Sequence, residues 1–299
     1  MRYDNPMFAG SYVAIATPMQ PDGSLDLAAW ERLLDFHCRG GTRGIVVGGT
    51  TGESATLAED ELRLLVQRAA AQAEGRLAVI AGAGTSSTAG TVERVRRMSG
   101  WPVDGLLIVT PSYNRPTQEG LYRHFAAAAE AAGVPVILYN VPARTAVDLL
   151  PQTVGRLSQL PRIAGVKESV PAMERIRELI ARTPPGFAVL SGDDATAREA
   201  VAAGAVGVIS VTANLAPAAM AEVMAAAAAG DPGRAAQVDA GLAALHQALF
   251  LETNPIPVKW ALARMGLIGA TLRLPLTELS AAHHAALERA LRAAGVVLN

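Results

Sequence analysis

Eight times over, the chain alternates a short run rich in valine and isoleucine with a longer segment of helical period. The runs fall at 13–16, 44–47, 78–81, 105–109, 136–139, 163–167, 188–191 and 207–210. Each reads as a candidate strand. Helical patterns at 27–38, 58–73, 118–132 and 172–182 lie between them, opened or closed by Gly, Pro, Ser or Thr. Strands that alternate with helices of this length predict parallel pairing through crossover connections. Eight such units in about 230 residues predict an α/β fold of the closed (β/α)8 TIM-barrel kind. A doubly wound open sheet is the weaker alternative, because it uses fewer strands and no GxGxxG turn follows the first one.

From 231 onward the sequence is alanine-rich and helical in period, broken at Asn254-Pro255-Ile256-Pro257 and at Pro275. No linker of disordered composition precedes it. The expected organisation is a barrel over 1–230 with a C-terminal helical extension, 231–299, packed on it and sharing its core.

Charge narrows the partner. There are 26 basic and 27 acidic side chains, a formal net charge of -1, and no long run of like charge, which argues against nucleic acid and against a polybasic membrane surface. The longest apolar stretch, 205–229, is interrupted by Ser210, Asn214, Pro217 and Glu222 and makes a poor membrane span. The first ten residues lack a secretory signal, and Cys38, the single cysteine, has no partner within the chain. A cytoplasmic protein acting on a small molecule is expected.

In a barrel of this kind the chemistry sits at the C-terminal strand ends. Here those ends are Gly49-Thr50-Thr51-Gly52-Glu53-Ser54, Ser112-Tyr113-Asn114-Arg115, Tyr139-Asn140-Val141-Pro142 followed by Arg144, and Lys167-Glu168-Ser169. Lys167 closes an apolar strand. A free lysine has a pKa of about 10.4, so only about one amine in a few thousand is neutral at pH 7, and burial is the way to make it a nucleophile. The alternative is a partly buried structural lysine in a salt bridge, with Glu168 or a neighbouring strand as its partner. Composition favours the first reading, because only Lys167 and Lys259 are lysines and the other basic residues are all arginine. Arginine cannot form an imine, so a lysine retained at a strand end suggests chemistry. Lys259, in the extension, reads as structural.

The Gly-Thr-Thr-Gly run suits a carboxylate, through backbone N–H groups and hydroxyls, or serves as a turn with Ser54 or Thr56 capping the next helix. Tyr139 could move a proton or simply pack, Tyr113 sits on a loop, and Arg144 could clamp a carboxylate. Asp193-Asp194 reads as a helix cap, not a metal site, since no histidine cluster accompanies it. His37, His124 and His246 are scattered on helices, and His283-His284 reads as surface. No metal and no cofactor is expected.

These motifs, in this order and across nearly the whole chain, resemble the Schiff-base pyruvate aldolases, the family of the dihydrodipicolinate synthases and N-acetylneuraminate lyases. The resemblance is nearest to the synthases. It rests on GTTGESATL at 49–57, Tyr113-Asn114-Arg115-Pro116-Thr117-Gln118-Glu119-Gly120, Tyr139-Asn140-Val141-Pro142-Ala143-Arg144-Thr145, Gly165-Val166-Lys167-Glu168, Ser191-Gly192-Asp193-Asp194 and Asn254-Pro255-Ile256-Pro257-Val258-Lys259. It implies a lyase in lysine and diaminopimelate synthesis, in which Lys167 forms an imine with pyruvate and the enamine attacks L-aspartate 4-semialdehyde to give 4-hydroxy-tetrahydrodipicolinate. Tyr139 would relay protons with Thr50 and with Tyr113 from a neighbouring subunit. Thr51 would hold the pyruvate carboxylate, Gly192 and Ile209 would line its pocket, and Arg144 would bind the semialdehyde carboxylate. A homotetramer built as a pair of tight dimers is implied. A related aldolase cleaving a 2-oxo sugar acid such as N-acetylneuraminate is the rival, and a non-catalytic 2-oxo acid-binding barrel a further one. In one respect the chain departs from the lysine-inhibited members, which carry an aromatic residue where Ser112 stands. With Glu59, Leu62, Ser86 and Gly90 at the other positions of that pocket, weak or absent inhibition by lysine is expected.

Overall fold

The computed structural model describes residues 8–299. The opening residues read for a secretory signal thus lie largely outside the described residues. Eight strands form one closed, all-parallel barrel in sequence order: β1 (Gly10–Ala14), β2 (Gly44–Val47), β3 (Ala78–Gly82), β4 (Gly105–Val109), β5 (Val136–Asn140), β6 (Ile163–Glu168), β7 (Ala188–Ser191) and β8 (Gly207–Ser210). Around them run α1 (Leu27–Arg39), α2 (Glu59–Ala73), α3 (Thr88–Met98), α4 (Gln118–Ala131), the short α5 (Pro142–Thr145), α6 (Pro151–Leu157), α7 (Met173–Arg182), α8 (Asp194–Ala202) and α9 (Pro217–Ala228). Then follow α10 (Pro232–Ala248), α11 (Ile256–Arg264) and α12 (Ala281–Ala293). No helix among the described residues is long and apolar enough to cross a membrane.

The barrel is the predicted one, with two local differences. β1 begins and ends earlier than the apolar run at 13–16. Its register is set by closure onto β8, where Gly10 pairs Gly207 and Tyr12 pairs Ile209. The strands approach so closely there that a Cβ on Gly207 would lie 2.1 Å from the Gly10 carbonyl oxygen. Beyond β1, Ile15 still donates its N–H to Val46 at 3.3 Å, so the apolar run outlasts the strand. The second difference is at α2. Its N-cap is Ala58, whose N–H is held by the Glu61 carboxylate at 2.9 Å, while Thr56 turns its hydroxyl to the Glu53 carbonyl. Neither Ser54 nor Thr56 caps that helix. Asp193, by contrast, caps α8 by accepting the Thr196 N–H.

Two apolar layers result from the period of two along each strand. One set of residues, including Tyr12, Val46, Ile80, Ile137, Leu190 and Ile209, fills the barrel. The other, including Val13, Ile45, Leu138, Val166 and Val189, meets the helices, and this outer core continues without a break to Leu242 and Leu245 of α10 and Leu287 and Leu291 of α12.

Two glycines of opposite environment test this packing. Gly207→Ala is expected to destabilise the protein by about 3 kcal/mol, the cost of forcing a methyl group into packed backbone. Gly241→Ala, at an exposed interior position of α10 with open space around it, is expected to stabilise by about 0.5–1 kcal/mol. Urea midpoints of the two variants should move in opposite directions.

Candidate active site

Alternation on β5 and β6 decides which side chains enter the barrel. Ile137 and Tyr139 point inward and Leu138 outward. Because Tyr139 pairs with Lys167 across the ladder, and Val166 faces out, Lys167 is inward beside Tyr139. Its ammonium nitrogen lies 4.4 Å from the centre of the Tyr139 ring. The residue is only 5% exposed. Of the two lysines, only Lys259 makes an ion pair among the described residues.

Glu168 therefore does not partner its neighbour. One step further along β6, it points to the opposite face and takes hydrogen bonds from Asn140 Nδ2 at 3.1 and 3.0 Å and from the Val170 N–H at 2.8 Å. Asn140 also donates to Asp148, which pairs with Arg175. Burial pushes the Glu168 carboxyl up to about 7, against the smaller pull of those donors and of Arg175.

Above Lys167 and Tyr139 opens a cavity of about 420 Å³, whose walls include Thr50, Thr51, Arg144 and Gly192. Thr51 is buried and accepts a hydrogen bond from Asn254 Nδ2 at 3.0 Å. Arg144 rides on α5, where Pro142 occupies the first turn, and donates from Nη2 to the Asn254 carbonyl at 3.0 Å. Gly192 is required sterically: a Cβ there would lie 2.1 Å from Ser169 Oγ and 2.9 Å from Lys167 Cε. The structure thus brings together Lys167, Tyr139, Thr50, Thr51, Arg144 and Gly192. Ile209 is fully buried in the barrel interior and does not line the cavity. Tyr113 is apart from it, 92% exposed on a loop with φ +73°.

A second cavity of about 440 Å³ shares Gly49, Thr50, Leu107 and Tyr139 with the first, and holds Ser86, Ser112 and Arg94. Ser86 and Ser112 are hydrogen-bonded at 3.1 Å, and Arg94 keeps a buried Nε with no partner. Leu62 is packed beneath Gly48, away from that space, and Glu59 is engaged by Arg97 at 2.7 and 2.8 Å.

Sequence reasoning missed the contribution of the C-terminal segment. Phe250, Glu252, Thr253 and Asn254 all line the first cavity. The only signal was the Asn-Pro-Ile-Pro break, which reads locally as a helix interruption. The histidines serve packing. His37, His124 and His246 are buried and bonded to Thr42, Thr88 and Thr212, and burial pushes His37 down to about 3 and His124 to about 4. His284 is half-buried and stacks on Trp260, so the terminal pair is not simply surface.

Fold and site together define a (β/α)8 barrel with an inward-facing, unpaired lysine beside a tyrosine at its mouth. Residues 7–294 match the model of the Dihydrodipicolinate synthetase family. The chain belongs to that family. It is 53% identical over 291 residues to the 4-hydroxy-tetrahydrodipicolinate synthase of Methylococcus capsulatus, covering 97% of this chain and all of that one. Among solved structures it is similar to the chloride-inhibited dihydrodipicolinate synthase of Acinetobacter baumannii in complex with pyruvate, with a TM-score of 0.95 and 47% identity over 97% of this chain and 99% of that one. A monomeric dihydrodipicolinate synthase variant aligns with the same TM-score, at 42% identity over 97% and 98% of the two chains.

The buried acid behind the lysine gives a pH prediction. In the folded chain Glu168 holds its proton from 4.5 to about 7, where an unfolded chain would release it. Its contribution to stability is present below 4.5 and is lost as pH rises through 7. Glu168→Gln, which cannot ionise, should remove that loss and gain up to about 3 kcal/mol over the wild type at pH 8 relative to pH 4.5. Urea midpoints of both proteins at the two pH values check this, since the opposing effects of His37 and His124 are common to both.

Proposed function

We propose that this protein condenses pyruvate with L-aspartate 4-semialdehyde to give 4-hydroxy-tetrahydrodipicolinate, through an imine on Lys167. The observation that carries the reading is the lysine itself, buried without a counter-charge, facing Tyr139 and open to a cavity that holds two threonines and an arginine. Lys167 Nζ attacks the pyruvate C2 carbonyl, and loss of one water leaves the imine. Removal of a C3 proton gives the enamine, whose C3 adds to the aldehyde carbon of the semialdehyde. The semialdehyde amine then attacks the imine carbon, closing the ring and releasing the lysine. Tyr139, with Thr50 beside it, carries the protons of these steps. Thr51 and its loop N–H groups receive the pyruvate carboxylate, Gly192 leaves room for the lysine to reach it, and Arg144 takes the carboxylate of the second substrate. Ile209 underpins the pyruvate pocket from within the barrel.

Tyr113 completes the relay from a second copy of the chain in this reading, which accounts for a large aromatic side chain standing exposed on a left-handed loop. The working assembly is then a homotetramer of paired dimers, in the cytoplasm. The segment 231–299 belongs to the catalytic unit, since it lends Phe250 and Asn254 to the cavity.

Incubation with pyruvate and borohydride should leave one reduced pyruvate on Lys167, read by peptide mass spectrometry, and Lys167→Arg should abolish it. An unmodified Lys167 overturns the mechanism. Turnover with aspartate semialdehyde but not with N-acetylneuraminate fixes the substrate.

Regulation by lysine should be weak or absent. The second cavity offers hydroxyls and the cationic Arg94, which repels an ammonium group, and Glu59 is already neutralised by Arg97. Steady-state rates should hold as lysine is raised through the physiological range, and strong inhibition there contradicts this.

A further inference from the structure

The second lysine is as buried as any side chain in the protein. Lys259, on α11, and Glu53, two residues beyond Thr51, both have fully buried side chains, and Lys259 Nζ donates to Glu53 Oε1 at 2.5 Å. The other carboxylate oxygen accepts the Arg273 N–H at 3.0 Å. Glu53 stands in a turn closed by hydrogen bonds from its own N–H to Thr50 and from Gly52 N–H to Gly49, and its φ is +57°. A residue other than glycine adopts that backbone at a cost and needs to be held. Five residues before Lys259, Asn254 bonds Thr51 on one side and receives Arg144 on the other.

One short segment, 254–259, therefore grips the threonine loop at two points and Arg144 at a third. We infer that the Glu53–Lys259 ion pair is a positioning device for substrate capture: it fixes the loop that carries Thr50 and Thr51, and through Asn254 it fixes the reach of Arg144. This rests on the pyruvate reading given above. A bidentate guanidinium would not fit the slot as it stands, because Arg273 already closes the other side of the carboxylate with its N–H while its own guanidinium is spent on Glu61, Thr56 and Gly23. The slot takes a single compact cation, which gives a chemical reason for the second lysine.

The role predicts a division between binding and chemistry. Glu53→Asp keeps the charge but draws the carboxylate back by one methylene group. It should raise the pyruvate KM about tenfold or more and slow borohydride trapping of Lys167 at low pyruvate, with kcat at saturation within about threefold of wild type. Asn254→Ala, which removes the side-chain bond from the same segment to Thr51 without leaving a buried charge, should raise the pyruvate KM in the same sense if the Glu53 variant does not fold. Unchanged pyruvate KM in a folded Glu53→Asp or Asn254→Ala protein overturns the inference. So does a loss that falls on kcat alone and follows the melting temperature. A wild-type protein that forms no adduct with pyruvate would instead overturn the function on which the inference rests.

Discussion

The pairing of Tyr139 with Lys167 across β5 and β6 is the constraint on which the site depends. Alternation in a strand allows no partial adjustment: a slip of one residue would turn Lys167 out among the helices and bring Glu168 into the barrel. The ladder is not uniform. Between Val136 and Ile137 it skips a residue of β6, so that Ile163 and Gly165 pair with consecutive positions. That irregularity lies before the paired lysine and tyrosine, and together with closure at Gly10 and Gly207 it sets the phase in which both enter the interior.

The same alternation divides the electrostatics of β6. On the inner face an amine lies against an aromatic ring with no carboxylate paired to it. On the outer face an acid shares a buried network with Asn140, Asp148 and Arg175. On that outer face burial disfavours the charged carboxylate, and the hydrogen-bond donors around it offset part of the cost. Two adjacent residues thus have opposite requirements, met because the sheet holds them apart.

Much of this was legible in the sequence because it is local. Strand runs, helix periods and the polar residues closing each strand are written in consecutive positions, and seven of the eight predicted strands fall where the structure has them to within a residue. The family motifs then named Lys167, Tyr139, Thr50, Thr51, Arg144 and Gly192, which the fold gathers at one cavity. What was not legible depends on distant partners. β1 is phased by β8, about two hundred residues away. The cap of α2 is formed by Glu61 reaching back to Ala58, so the hydroxyls of Ser54 and Thr56 are not needed there. Asn254 meets Thr51, and Lys259 meets Glu53, across sequence gaps that no periodicity can bridge.

Both lysines of the chain are buried, one facing the cavity and one fully enclosed. The surface consequently presents basic side chains as guanidinium and offers no lysine amine. Reagents and enzymes that act on lysine amines, whether acylating, cross-linking or conjugating, meet a protein whose side-chain amine targets are withdrawn from solution. The single lysine they could reach is the one that a keto acid would occupy first, so occupancy of the cavity would also govern the chemistry of the chain's lysine side chains.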